Sequence, residues 1–262
     1  MNAPPGAHQL MKNNFAAVGR LLESSKRLLF ITGAGVSAES KIPTFRGATA
    51  AFADGMTEDG MPFEEVLSGT TFRANPTLAW KYLFKLEQSI RGKTPNAAHR
   101  VMAALQSPRR HVCVATQNID GLHQQAGSRV VLELHGNIRR VICTRCQYSD
   151  YRETFEGMPP LPRCPRCDAM ARPDVVLYEE SLPVLVLESF VREQERGFDV
   201  VFSVGTTSLF PYVSQPIWSA ARRGVPVVEI NPERTVISSL ANYRFAGPAG
   251  ETLQQLMREM GT

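Results

Sequence analysis

A chain of 262 residues with 43% hydrophobic and 21% charged side chains has an ordinary globular composition, which excludes disordered, collagen-like and low-complexity classes. Its 29 Lys and Arg against 25 Asp and Glu leave a net charge of +4, spread in pairs such as Arg109-Arg110, Arg139-Arg140 and Arg222-Arg223 rather than in the dense patch that duplex nucleic acid requires, so no direct nucleic-acid partner is expected. No apolar stretch reaches the roughly 20 residues that span a bilayer, and Met1 to Leu10 lacks the basic start and apolar block of a signal peptide, so a cytoplasmic protein with reduced thiols and no membrane partner is expected.

A helical pattern runs from Asn13 to Ser25 and is followed by the apolar run Arg27 to Thr32 (RLLFIT). Similar runs recur at His111 to Thr116, Val130 to Leu134, Asp199 to Val204 and Pro226 to Ile230. Apolarity that is continuous rather than alternating predicts buried parallel strands. Helical patterns over Pro76 to Ile90, Pro95 to Leu105 and Tyr212 to Arg222 lie between them, which is the alternation of an α/β doubly wound parallel sheet. Gly47 to Thr94 and Asn137 to Asp174 break that rhythm. The expected organisation is a Rossmann-like nucleotide-binding core from residues 14–47, 95–136 and 175–262, a helical insertion carrying a cofactor loop at 48–94, and a second small module at 137–174 that holds paired cysteines.

Gly33-Ala-Gly35-Val-Ser-Ala38 follows the first strand and fits G-x-G-x-x-G/A, in which glycines let the backbone approach a pyrophosphate; a bare glycine turn is the alternative. An ordinary dehydrogenase would place an acidic residue at a second strand end about 20 residues on. Asp54 has that distance but sits in the loop-like AFADGM. Thr116-Gln117-Asn118-Ile119-Asp120, taken by itself, is equally an Asn/Asp turn with capping roles. His135 ends an apolar strand, where open α/β sheets have their ligand crevice, and is either structural or a proton acceptor near neutral pH. Cys143-x-x-Cys146 and Cys164-x-x-Cys167 are separated by 17 residues, the spacing of a four-thiolate zinc ribbon. Four ligands close a tetrahedral site, so such a metal is structural and metal-hydrolase chemistry is disfavoured. Free thiols are the alternative, and Cys113 stands apart in an apolar run.

Together with Ala38 to Gly47 (AESKIPTFRG), Glu133 to Gly136 (ELHG), Arg172 to Val176 (RPDVV), Gly205-Thr206 with Ser208, and Glu229-Ile230-Asn231, these motifs in this order make the chain, from about Leu28 to Leu256, similar to the bacterial-type sirtuins, NAD-dependent protein-lysine deacylases. That family's fold is a large NAD-binding domain with a small zinc module. The resemblance implies that Gly33, Ala34, Gly35 and Glu39 lie in the NAD site, that Phe45 shields the reactive ribose face and that Arg46 contacts phosphate. It implies that Gln117, Asn118, Ile119 and Asp120 receive nicotinamide and its ribose, with Asn118 and Asp120 catalytic beside the general base His135. It places Gly205, Thr206, Thr207 and Ser208 at the adenosine ribose, with Asn231, Pro232, Glu233 and Ala249 nearby, and one structural zinc on Cys143, Cys146, Cys164 and Cys167. The implied reaction begins when an acyl-lysine carbonyl oxygen attacks the ribose carbon bearing nicotinamide, and it yields lysine, nicotinamide and O-acyl-ADP-ribose.

Three positions depart from the family pattern. Lys41 and Glu179 stand where glycine is usual, and the Gly205 to Pro211 loop is one residue short; the last two touch the segments that the resemblance implies pair with the substrate peptide as an added strand. In the desuccinylase branch, Tyr and Arg occupy positions eight and eleven after the Asn that opens a helix. Here Asn75 leads to Leu83 and Leu86, which with Val176 are expected to form an apolar acyl pocket that disfavours succinyl groups. A register slip would substitute Tyr82 and Lys85 and make both leucines plain core. Mono-ADP-ribosyltransfer and a non-catalytic NAD-sensing module remain the alternatives to a deacylase that takes acetyl or longer apolar acyl groups from acyl-lysine proteins.

Overall fold

A computed structural model describes residues 7–44 and 55–260. Phe45, Arg46 and Asp54 lie outside them. Helix α1 (Ala7–Ser24) leads into β1 (Arg27–Thr32), α2 (Ala34–Ser37) and a single 3-10 turn at Ala38–Ser40. The first insertion contributes α3 (Phe63–Val66), α4 (Gly69–Ala74) and α5 (Pro76–Ile90). The core resumes with α6 (Ala97–Ala104), β2 (His111–Thr116), α7 (Leu122–Gln125) and β3 (Val130–Glu133). Strands β4 (Gly136–Cys143), β5 (Ser149–Tyr151) and β6 (Ala171–Val175) form a separate sheet, followed by α8 (Val184–Glu195), β7 (Val200–Val204), α9 (Pro211–Arg222), β8 (Val227–Ile230), β9 (Tyr243–Phe245) and α10 (Ala249–Arg258).

The six-stranded sheet has the order β3-β2-β1-β7-β8-β9 and is parallel throughout. That order reverses between β1 and β7, so the crevice of this doubly wound, Rossmann-like sheet opens at their carboxyl ends. The two-residue period of β1 sorts its apolar side chains: Leu28 and Phe30 join a core with α1, α6 and α10, while Leu29 and Ile31 join a second with α8 and α9. Cys113 packs in the second core, and burial pushes its thiol up to about 12, which leaves it inert.

A third core unites the two insertions. Phe63, Trp80 and Leu83 of the helical segment pack with Ile138, Val141 and Phe155 of the cysteine module. Trp80 is ringed by Phe84 and Phe155, with centroids 5.1 and 5.8 Å away, and its Nε1 donates to the Ala171 carbonyl at 3.2 Å. Helix α5 has a local reason to begin where it does: the Asn75 side chain accepts from the Leu78 amide, and Pro76 fills the first turn.

Lys41 and Glu179 adopt left-handed backbone with φ of 60° and 69°. A side chain there costs about 1 kcal/mol or more. Lys41→Gly is accordingly expected to stabilise the fold by roughly 0.5–1 kcal/mol after the added freedom of the unfolded chain is deducted. Urea denaturation of both proteins checks it, and an unchanged or lower midpoint would remove the strain argument.

Candidate active site

The site grows from the seam between β1 and β7. The Gly33 amide donates to the Val204 carbonyl at 3.2 Å and the Gly35 amide to the Gly205 carbonyl at 2.9 Å. A Cβ on Gly35 would fall 2.7 Å from the Gly205 Cα, and one on Gly205, whose φ is 58°, would fall 2.5 Å from the Val36 nitrogen. Only glycines permit this approach, and it leaves a bare backbone surface suited to a pyrophosphate. Glu39 lies at the rim of the same crevice, where its carboxylate accepts from the Gly250 amide at 2.5 Å in the first turn of α10.

A polar network crosses the crevice floor. Asn118 Nδ2 donates to the Gly33 carbonyl at 3.1 Å and to Ser37 Oγ at 3.0 Å, and Ser37 in turn donates to Asp120 at 2.6 Å. The other Asp120 oxygen accepts from the Leu122 amide at 2.9 Å. Burial raises the Asp120 pKa, and these two donors partly offset it. On the far side Gln117 Nε2 donates to Thr206 Oγ1 at 2.8 Å, and Asn231 Nδ2 donates to the Thr206 carbonyl at 3.0 Å. Ser37, an unspecified position between Gly35 and Ala38 of the glycine motif, is the bridge between Asn118 and Asp120.

His135 follows β3 and faces the crevice, with Tyr212 Oη 2.6 Å from its Nε2. Burial lowers the His135 pKa, and a backbone hydrogen bond at Gln117 opposes that shift. Phe210 and Tyr212 stack with centroids 5.4 Å apart beside the imidazole.

A cavity of about 760 Å³ connects these parts. It is lined by Gly33, Ala34, Gly35, Glu39, Gln117, Asn118 and Ile119, and by Gly205, Thr206, Thr207, Asn231, Pro232 and Glu233. The lining also holds the apolar side chains Leu83, Leu86 and Val176, together with Phe63, Leu67 and Leu182, and the carboxylates of Glu179 and Glu180. Among the described residues the lining has no lysine or arginine. Tyr82 and Lys85 turn the other way, Tyr82 donating to Asp59 at 2.6 Å and Lys85 pairing with Glu58 at 2.6 Å. Three expected members are not in the lining: Asp120 is buried against Ser37, Ser208 is buried against Ser203 at 3.2 Å, and Pro248 lines the cavity where Ala249 does not.

The four paired cysteines converge in the module beyond β4, their sulfurs all within 4.8 Å of one another. Amides of Arg145 and Cys146 point at Cys143 Sγ, both at 3.3 Å, and the Arg166 amide points at Cys164 Sγ at 3.4 Å. The Ala169 amide, then Cys143 and Arg145, hold the Cys167 thiol down to about 6. Four thiolates solvated by backbone N–H groups fit a closed tetrahedral zinc site.

Among known proteins, the Sir2 family model matches residues 33–210 of this chain. The chain is 39% identical over 246 residues to NAD-dependent protein deacylase 2 of Pseudomonas aeruginosa, a match covering 92% of this chain and 95% of the relative. It is 40% identical over 243 residues to NAD-dependent protein deacylase 1 of Archaeoglobus fulgidus, covering 92% and 96%. The crystal structure of a Sir2 homologue in complex with NAD superposes with a TM-score of 0.83 at 37% identity, over 92% of each chain.

Proposed function

This chain belongs to the Sir2 family and is an NAD-dependent protein deacylase, and we propose that His135 is its general base, with Asn118 and Asp120 ordering the ribose and nicotinamide end of the site. The observation that carries this assignment is that His135 lines one cavity together with the glycine loop at Gly33 to Gly35, the Gly205 to Thr207 loop and the apolar side chains Leu83, Leu86 and Val176. NAD, when bound, supplies an electrophilic ribose carbon with nicotinamide as leaving group. The protein's own part is to seat the phosphates on the bare backbone at Gly33, Gly35 and Gly205, and to hold Asn118 through Gly33 and Ser37. Asp120 is kept in place from below by Ser37 and the Leu122 amide. His135 would accept a ribose hydroxyl proton at Nε2, freeing that oxygen to bond to the acyl carbon as the carbon–nitrogen bond breaks, the lysine amine leaves and one water is consumed. Zinc on Cys143, Cys146, Cys164 and Cys167 supplies rigidity to the small module. Phe45 and Arg46, outside the described residues, are assigned to the ribose face and a phosphate by resemblance alone.

The substrates are acyl-lysine proteins, and the pocket chemistry favours acetyl or longer apolar acyl groups. A succinyl carboxylate among Leu83, Leu86 and Val176 would lose its water without gaining a cation, which costs several kcal/mol. A cytoplasmic location accords with this reading, since the four thiolates must stay reduced. The test is a panel of acyl-lysine peptides with NAD, followed by mass spectrometry for O-acyl-ADP-ribose. The kcat/KM for succinyl-lysine is expected to be at least about 100-fold below that for acetyl-lysine. Comparable values would overturn the pocket assignment, and a panel with no O-acyl-ADP-ribose would overturn the proposed roles of these residues.

A further inference from the structure

His135 has two ring nitrogens and, as a neutral imidazole, one donor and one acceptor. The backbone hydrogen bond at Gln117 favours the protonated ring, so it is the Gln117 carbonyl that accepts from the imidazole. With Nε2 turned to Tyr212, that contact falls to Nδ1–H, which fixes the tautomer and leaves the lone pair on Nε2. Tyr212 must then be the donor across the 2.6 Å contact. The groups bearing on this pair are the Gln117 carbonyl after β2, the Tyr212 hydroxyl of α9, and Tyr178 from the segment after β6, which lies near Tyr212. Burial pushes Tyr212 up to about 12, so its hydroxyl keeps the proton across the neutral range.

The lone pair that a general base must offer is therefore already in use. We infer that Tyr212 is a positioning residue that caps Nε2 of His135 in the free enzyme and is displaced by the ribose hydroxyl when the nucleotide engages. The observation is the pairing of one acceptor with one intramolecular donor inside the cavity, and the inference rests on His135 being the base. Tyr212 is suited to withdraw, since it occupies the first turn of α9 and its stacking partner Phe210 is 37% exposed at the cavity edge. Capping holds the ring in the tautomer and plane needed for proton transfer, and it makes engagement of the ribose an exchange of one hydrogen bond for another.

The experiment follows the His135 Cε1 resonance by NMR in the nucleotide-free wild type and in Tyr212→Phe, which keeps the ring stack and removes the donor. A donor to Nε2 stabilises the neutral ring, so its loss is expected to raise the His135 midpoint by roughly half a unit to one unit. Calorimetry with ADP-ribose should find a Kd lower by about three- to tenfold, because the competitor is gone. An unchanged midpoint or an unchanged or higher Kd would overturn the inference. The unaltered protein gives an independent measurement if the variant does not fold: the ring-to-ring Overhauser effect between His135 and Tyr212, whose centroids are 5.8 Å apart, should vanish at saturating ADP-ribose, and its persistence would equally overturn the inference. Failure of the base assignment is separable, because it would appear as turnover retained in His135→Ala, whereas these titrations need no turnover.

Discussion

His135→Ala is expected to lower kcat for deacylation by about 10²–10⁴-fold at neutral pH while ADP-ribose still binds. The imidazole is largely withdrawn from water, and burial holds its pKa below the ordinary 6.5, so the ring is neutral and able to accept a proton at pH 7. Activity in the wild type should therefore be full at neutral pH and fall as pH drops through that depressed value; the variant should lose this acidic limb along with its rate. His99, His111 and His123 cannot take over. Burial drives His99 down to about 4 and His123 well below its usual range, and His111 is engaged with Glu193 at 2.8 Å. Steady-state rates across pH, with calorimetry for ADP-ribose, check the expectation. A variant with wild-type kcat would require a different proton acceptor.

Cys167→Ala should release the zinc and lower the melting temperature by at least about 10 °C, given the several kcal/mol that a structural four-ligand site contributes. The effect should not stop at the small module. Its Phe155 packs on Trp80 and Phe84 of α5, its Ala171 carbonyl holds the Trp80 indole, and Arg91 at the end of α5 pairs with Glu156 at 2.5 Å. Leu83 and Leu86 sit on that same helix and line the cavity that holds His135. Loss of the metal is therefore expected to raise the KM for acyl-peptide well before it weakens ADP-ribose, whose seat belongs to the large sheet. Metal content by mass spectrometry, thermal melts and ADP-ribose calorimetry on the same samples give the comparison. Retained zinc with an unshifted melt would remove Cys167 from the ligand set, and equal losses at both sites would remove the coupling through α5.

Much of the fold was legible because buried parallel strands leave unbroken apolar runs, and β1, β2, β7 and β8 are such runs within a residue of their observed ends. The cysteine spacing was legible for a similar reason, since ligand geometry constrains local sequence. Helix α8 is not legible in the sequence because its apolar residues do not form one buried stripe: Val184, Leu185 and Val191 are 66%, 76% and 50% exposed. Strand β9 has three residues, too few for a period to register. The shared core of the two insertions joins Trp80 to Phe155, and no local pattern reports a contact between such distant segments. The same holds for Ser37 on Asp120 and Tyr212 on His135, where the motif names one partner and the fold chooses the other. Asp120, Ser208 and Ala249 belong to motifs by their spacing, and spacing does not report that all three are buried outside the cavity lining.

The three glycines at the seam have a consequence for how this enzyme comes into being on the ribosome. Gly33 and Gly35 emerge early and Gly205 late, yet each occupies the space that a side chain on the other would need. Strand β7 must slot between β1 and β8 before that surface exists. A nascent chain that ends short of Gly205 thus has the motif of a nucleotide site and no nucleotide site. Capture of the adenylate half of NAD is then a certificate of finished assembly, and a truncated or misregistered copy would be silent toward the metabolite instead of binding it without using it.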